Sequence, residues 1–361
     1  MYERFGLVLM VTHACNLRCS YCYTGAKTGR AMGPAVGRAA VERAVASIRP
    51  GGTLELGFFG GEPLLRAGFV AAMIELAARR TALARVALEV NLTTNGTRTD
   101  REAWGVMTRP GAQITVSHDG LPEVHDRHRR LPDGRGTSQL VQTTIRRLLD
   151  AGVAVRVMMV VRPDTAESLP EGIAWLRAEG VRHVDLALDL WTDWSRADAA
   201  GLQRSLARAA DVWRAGLPDC SVGWFDEKAA RLAGIPESPT ARCGFGDGEL
   251  AVAPSGNLYP CERLIGEDSS GNPMRLAGHA LDAGPFRRMA APSRAAEGCS
   301  ACAIQGQCQT TCRCSNYVRT GDVRRPDGLL CMLDRVLYRE TARVLGRARE
   351  ESLLPVSSLS S

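Results

Sequence analysis

No stretch of this chain of 361 residues approaches the roughly eighteen consecutive apolar residues that a membrane helix needs. Its first residues also lack a basic segment ahead of an apolar signal core. A membrane protein and a secreted protein are therefore not expected. Aromatic residues are scarce, at 5%, and no basic tract interleaves with them. The net charge of +6, with a pI near 8.8, is spread along the chain mostly as arginine, in pieces such as Arg127–Arg130 and Arg146–Arg147. That distribution reads as a solvated surface rather than a nucleic-acid footprint, although a mildly basic groove would suit an acidic peptide. Gly134-Arg135-Gly136 lacks the strand-then-helix context of a dinucleotide loop and reads as a plain turn. Hydrophobic residues make up 45% and charged residues 23%, which is ordinary for a globular protein of one large and one smaller domain.

Cysteine is what the chain has in excess. Its twelve cysteines fall in tight clusters, a pattern of metal-bound thiolates in a reducing cytoplasm rather than of disulfides. Cys15, Cys19 and Cys22 follow the apolar run Leu7–Val11 with the spacing C-x3-C-x2-C. Three thiolates leave one iron of a cubane [4Fe–4S] cluster without a protein ligand, open to a cofactor or substrate. A zinc site is the rival reading of these three residues.

Apolar runs alternate with helical periodicity from residue 7 to about 217. Strands are expected at 7–13, 53–59, 85–93, 112–117, 153–161 and 182–190. Helices are expected at 35–49, 66–80, 99–108, 138–151, 165–179 and 196–215. The strands are nearly continuous in aliphatic residues, as in a parallel sheet covered on both faces. Six strand–helix units imply an α/β fold, an open (β/α)6 partial barrel, whose function would gather at the C-terminal ends of the strands. Gly60-Gly61-Glu62-Pro63 follows strand two, Thr94-Asn95-Gly96 follows strand three, and Ser117-His118-Asp119-Gly120 follows strand four. Paired glycines admit close backbone approach, and a carboxylate can accept hydrogen bonds from an ammonium. His118, His125 and His128 have poor spacing for a shared ion and read as a solvated segment. Trp191 and Trp194, after strand six, read as packing residues.

Cys15-Asn16-Leu17-Arg18-Cys19-Ser20-Tyr21-Cys22 resembles the signature of the radical S-adenosylmethionine (SAM) enzymes. The resemblance implies a SAM molecule chelating the open iron of a [4Fe–4S] cluster and yielding a 5′-deoxyadenosyl radical. It also implies that Tyr21 lies near the adenine, that Gly60, Gly61, Glu62 and Pro63 hold the amino group, and that Asn95 and Ser117 complete the cofactor site. His118 departs from the family pattern, which carries an aliphatic residue there.

The last third has a different texture. Residues 218–242, with Pro218, Pro236 and Pro239, read as a connector. Glu249–Ala253 and Leu258-Tyr259 read as a hairpin around a Pro-Ser-Gly-Asn turn, flanked by Cys243 and Cys261. Cys299-x2-Cys302-x5-Cys308-x3-Cys312 follows, then Cys331. With Gly256 five residues before Cys261, this series resembles the SPASM extension of one branch of the radical SAM enzymes. The resemblance implies two auxiliary [4Fe–4S] clusters. Cys243, Cys261 and Cys312 would hold the first; Cys299, Cys302, Cys308 and Cys331 would hold the second. Cys314 and, more weakly, Cys220 are candidates for a missing fourth ligand, against the alternative of buried free thiols. A structural zinc module is the rival reading of the segment. Glu262 stands where sulfatase-maturating relatives carry an aspartate that resembles a general base. The expected domains are a barrel at 1–217, a connector at 218–242, a SPASM module at 243–335, and a C-terminal helix with a frayed tail at 336–361.

These features together imply a SAM-dependent radical oxidoreductase with three clusters that oxidatively modifies a peptide or protein: a thioether or C–C cross-link, or a formylglycine-type oxidation. A small-molecule dehydrogenase or epimerase, and an inactive cluster-binding scaffold, are the alternatives. A flavodoxin- or ferredoxin-type reductant is implied. The first strand begins near Leu7, so no N-terminal leader-recognition domain is expected, and a separate recognition protein could take its place.

Overall fold

The computed structural model describes residues 1–235, 244–286, 299, 302–305, 308 and 312–346. It contains two compact units. One comprises Met1–His118, His125–Val157 and Arg242–Pro292; the other comprises Asp119–Val124, Met158–Ala241 and Ser293–Ser361.

The first unit is built on β1 (Tyr2–Met10), β2 (Ile48–Phe59), β3 (Ala87–Thr94) and β4 (Ala112–Ser117), all parallel and side by side in chain order. Helices α1 (Pro34–Ala46), α2 (Ala67–Ala84) and α3 (Arg101–Met107) form the crossovers, and α5 (Ser138–Asp150) follows the short α4 (Pro122–His128). Local chemistry sets the boundaries. Pro34 opens α1, where a missing N–H costs nothing. Asp100 caps α3 by accepting from the Ala103 N–H. On the outer side of β1, β8 (Glu249–Val252) runs parallel and β9 (Leu258–Tyr259) turns back antiparallel to it, so the expected hairpin extends the same sheet.

Strand burial alternates, which corrects the reading of both faces as equally buried. In β2, Leu54, Leu56 and Phe58 are fully buried, whereas Glu55, Gly57 and Phe59 are half-buried. Register lines up Glu249, Gly6, Glu55 and Glu89 across four strands, a carboxylate layer interrupted by one glycine. Arg4 answers it: its guanidinium contacts Glu55 and makes two hydrogen bonds to Glu89, at 3.2 and 2.6 Å. Side chains on this face border an internal space rather than a helix layer, so polarity is tolerated there.

The second unit contains β6 (His183–Leu188) between β5 (Val155–Val161), which starts in the first unit, and β7 (Ser221–Val222). Helices α6 (Leu169–Ala178), α7 (Arg196–Gly216), α8 (Gly223–Leu232), α9 (Arg313–Thr320) and α10 (Gly328–Val344) complete its described part. A Ser195–Asp198 capping box starts α7 and Asp327 caps α10. The expected α/β fold with a parallel sheet is what the structure has. The expected connector is more structured than its prolines suggest. It carries β7 and α8, held by Phe225 stacked on Trp213 at 5.5 Å and by Lys228. The segment 243–335, expected as one module, is shared between the two units. The tail beyond residue 346 lies outside the described residues.

Lys228 is wholly inaccessible, and its Nζ lies 2.5 Å from Asp334 Oδ1, fastening α8 to α10. Removing one member of such a pair strands a buried charge. Lys228→Met should therefore lower unfolding stability by about 3–5 kcal/mol. The double change with Asp334→Leu should recover most of that loss. Both are read from denaturant unfolding, and equal losses in the single and double variants would contradict the pairing.

Candidate active site

Cys15, Cys19 and Cys22 occupy the loop that leaves β1, and the ends of the next three strands converge on it. The loop is shaped by backbone contact. Gly61 N–H donates to Thr12 O at 2.7 Å and Glu62 N–H donates to Ala14 O at 2.9 Å. A Cβ on Gly61 would fall 2.2 Å from Ala14 O, and one on Gly60 (φ +150°) would fall 2.6 Å from Thr12 O. No side chain fits at either position without displacing the chain just ahead of Cys15.

Glu62 locks this contact from the other side and is fully buried. One carboxylate oxygen accepts from the Leu64 N–H (2.9 Å) and the Thr94 hydroxyl (2.8 Å); the other accepts from the Asn95 N–H (2.7 Å). Burial raises its pKa, with these three donors working in the opposite direction. The carboxylate thus joins the ends of β2 and β3, and Pro63 opens the 3-10 turn Pro63–Arg66 directly after it. Asn95 carries the connection to the cysteines. Its Nδ2 donates to Asn16 Oδ1 at 3.0 Å and lies 3.7 Å from Cys15 Sγ, while Thr97 donates to its Oδ1. Ser117 is buried at the end of β4.

The thiols are met by donors. Cys15 Sγ accepts from the Leu17 N–H at 3.4 Å as well as from Asn95. Burial pushes its pKa up. Burial acts the same way on Cys22, but hydrogen bonds from Lys27 (2.8 Å) and Thr24 (3.3 Å) outweigh it and bring that thiol's pKa down. Cys19 is half-buried, and its carbonyl accepts from the Cys22 N–H at 3.2 Å. Donors of this kind suit sulfurs that carry negative charge, as cluster ligands do, so the residues present fit a [4Fe–4S] group held by these three thiolates. Among the described residues, no three His, Cys, Asp or Glu side chains are grouped as ligands of a single metal ion.

The histidines of the segment read as solvated are buried, a correction to the expectation for them. His118 and His125 are inaccessible with ring centroids 4.2 Å apart, and His128 is nearly so. Burial keeps His125 well below the ordinary imidazole pKa, with His118 and Arg129 adding to the shift. The reason lies in the cysteine loop. Ser20 N–H donates to His128 O (3.0 Å), Arg18 N–H donates to Arg130 O (2.7 Å), and Ser20 Oγ meets His128 Nδ1 at 2.7 Å. Tyr21 lies against this segment, its ring 5.9 Å from that of His128 and 5.2 Å from the Arg129 guanidinium.

Glu262 opens a 3-10 turn after Cys261, whose Sγ lies 3.5 Å from the carboxylate. It lines a cavity of about 230 Å³ together with Glu55, Asn91, Thr93, Phe59 and Glu249. Gly6 and Gly57 leave that space open. Tyr23, which spacing alone did not single out, stacks on Phe59 at 6.0 Å; burial first and the Glu262 charge second keep its phenol protonated.

In the second unit, burial raises the Cys331 thiol, and the neighbouring Cys299 and Cys302 add to the shift while Arg335 opposes it. Arg335 also reaches Cys302 Sγ at 3.7 Å. Cys312 Sγ is 3.3 Å from Cys314 Sγ and 3.2 Å from the Ser315 hydroxyl. Cys308 is half-buried, and Cys220 is a buried thiol. Cys243 lies outside the described residues.

The chain is similar to known proteins. Residues 9–176 match the model of the Radical SAM superfamily. The chain is 26% identical over 348 residues to the PqqA peptide cyclase of Rhodopseudomonas palustris, covering 90% of this chain and 87% of the relative. It is 24% identical over 278 residues to a cysteine-type anaerobic sulfatase-maturating enzyme of Clostridium novyi, covering 72% and 73%. Its fold is similar to that of anSMEcpe solved with bound AdoMet, with a TM-score of 0.77 at 19% identity, covering 95% of this chain and 98% of that one.

A methyl group at residue 61 cannot be accommodated by a flexible side chain, because the atoms it meets are main chain. Gly61→Ala should therefore displace the cysteine loop and reduce iron bound after anaerobic reconstitution by up to about four atoms per chain, one cluster's worth, with a stability loss of about 1–3 kcal/mol. Iron analysis and thermal unfolding read the two effects. Full iron loading in this variant would refute the contact.

Proposed function

We propose that this protein, whose residues 9–176 match the Radical SAM superfamily model, is a radical SAM enzyme that oxidatively modifies a peptide or protein substrate, by a thioether or C–C cross-link or a formylglycine-type oxidation. The observation that carries the reading is the joint between the Gly60-Gly61-Glu62 segment and the cysteine loop, with hydrogen-bond donors already aimed at the Cys15 and Cys22 sulfurs. The peptide-modifying names of the two relatives support the substrate class.

In this reading Cys15, Cys19 and Cys22 hold a [4Fe–4S] cluster with one open iron. Bound there, the cluster and SAM supply a 5′-deoxyadenosyl radical that abstracts a hydrogen atom from the substrate. Gly60 and Gly61 let main chain approach the methionyl end of SAM. Glu62 keeps that main chain in place, with three protein donors on its oxygens and acceptor capacity left over for the cofactor's amino group. Tyr21, Asn95 and Ser117 border the rest of the cofactor. Glu262, facing the cavity, would take the proton that leaves the substrate after hydrogen abstraction, and the electron left on the substrate radical would pass to an auxiliary cluster. Cys243, Cys261 and Cys312 serve one auxiliary cluster, and Cys299, Cys302, Cys308 and Cys331 a second. The neighbourhood of Cys299, Cys302 and Cys331 supports the latter grouping.

The test is anaerobic reconstitution followed by assay of 5′-deoxyadenosine with dithionite as reductant. The protein should form it, and Cys19→Ala should not. Short synthetic peptides bearing cysteine and serine serve as substrates, scored by mass spectrometry for loss of two hydrogen atoms. With a peptide that reacts, Glu262→Gln should retain 5′-deoxyadenosine formation and lose about a hundredfold in oxidised peptide. Loss of both products together would contradict the proton-accepting role, and no 5′-deoxyadenosine from the iron-loaded protein would sink the reading.

A further inference from the structure

Of the 45 lysine and arginine residues in this chain, two are lysine: Lys27 and Lys228. Lys228 is consumed by a buried carboxylate. Lys27 has a different kind of partner. Its Nζ lies 2.8 Å from Cys22 Sγ and also donates to Thr24 Oγ1, and Thr24 is buried. Among the described residues no carboxylate pairs with it.

The loop around Lys27 is fastened, so this is not a surface lysine sampling solvent. Ala26 N–H donates to Glu267 Oε1 at 3.2 Å, and the Arg30 guanidinium donates to Glu267 O at 3.1 Å. Gly25 adopts φ +72°, and a Cβ there would meet Glu267 Cγ at 2.5 Å. Beyond the lysine, His13 N–H donates to Arg30 O at 2.9 Å, returning the chain to the cysteine loop. A compact ammonium is thereby kept against one sulfur.

We propose that Lys27 is a positioning residue that sets the reduction potential of the cluster held by Cys15, Cys19 and Cys22. The inference rests on the reading of Cys22 as a cluster ligand. A [4Fe–4S] core of charge 2+ with three thiolates carries a net charge of −1, and gaining one electron makes it −2. A fixed positive charge hydrogen-bonded to a ligand sulfur favours the more negative state, so the cluster accepts an electron more readily than the same cluster without it. That electron comes from an external low-potential donor, and Lys27 itself neither gains nor loses a proton in the step.

The experiment is a redox titration of the full chain, reconstituted without air in the presence of SAM. The SAM-sensitive part of the electron paramagnetic resonance signal is followed, which separates this cluster from any auxiliary ones. Lys27→Met should bind as much iron as the unmodified protein. At a fixed poise within the transition, its ratio of reduced to oxidised cluster should fall about tenfold, which for a one-electron couple is about 59 mV. Lys27→Arg, which retains the charge, should stay within about threefold of the unmodified protein. Lys27→Gln guards against an effect peculiar to methionine. An unchanged ratio in iron-loaded Lys27→Met would overturn the proposal, and so would an equal shift in Lys27→Arg. Loss of iron from both neutral variants would also overturn it, by making the role one of assembly. If the unmodified protein bound iron but Cys22→Ala left the SAM-sensitive signal intact, the ligand reading would fall, and the proposal with it.

Discussion

Everything at the mouth of the first unit depends on main chain touching main chain. The turn after β2 lies against the turn after β1 so closely that neither Gly60 nor Gly61 has room for a β-carbon. Two hydrogen bonds cross the joint, from Gly61 to Thr12 and from Glu62 to Ala14. Such a contact resists sliding, because a shift would break both hydrogen bonds at once and leave each N–H to find another acceptor. It fixes where Cys15 begins. The rest of the thiol loop is then determined by its second seam, in which Arg18 and Ser20 bond to the backbone of His128 and Arg130. The loop is held along two edges, and its sulfurs are what remains between them.

The electrostatics follow from that arrangement. A thiol half-buried among carbons resists ionisation, as Cys15 does. Donors placed on the sulfur offset that resistance, and at Cys22 they prevail. The fully buried Glu62 lies near enough to Cys15 to oppose its ionisation. That carboxylate is tolerable because three protein donors surround it. The same side chain therefore acts as a mechanical tie between β2 and β3 and as a source of negative potential beside the thiols. Positive charge enters the loop at Lys27, on the side of Cys22.

Much of this was legible in the sequence, and what was not has identifiable causes. The strands from β1 to β6 and their helices are readable because apolar periodicity is local. Cys15, Cys19, Cys22 and the Gly-Gly-Glu-Pro turn are readable because residue type and spacing are themselves the signal. The histidine segment is not readable, since His-Asp-Arg-His-Arg-Arg looks like surface. It is buried through bonds to the cysteine loop more than a hundred residues earlier in the chain. Helix α8 was masked by flanking prolines, and its anchor is a lysine whose partner, Asp334, lies in α10. The purpose of Glu62 was also hidden. A motif reveals that a carboxylate is needed after two glycines, but not that its oxygens face Leu64, Thr94 and Asn95 rather than open space.

The inner face of the first unit shows how a sheet can carry a polar interior without losing its core. Alternation in β2 sends Leu54, Leu56 and Phe58 to one side, and these residues are fully buried. Glu55, Gly57 and Phe59 point to the other side, where Glu249 and Glu89 share a layer with Glu55. Three carboxylates at strand spacing would repel one another. Arg4 answers two of them with one planar group, and Glu249 turns one oxygen to the Gly244 N–H at 3.1 Å. Gly6 and Gly57 line the cavity without adding a side chain to it, one layer apart on adjacent strands. The cavity floor is thus a neutralised carboxylate layer, and its upper wall is Phe59, Thr93 and Glu262. Of the cavity's three carboxylates, Glu262 alone comes from outside the strands. In the proposed reaction it is therefore the carboxylate placed to act on a guest without breaking the charge balance that the strands require.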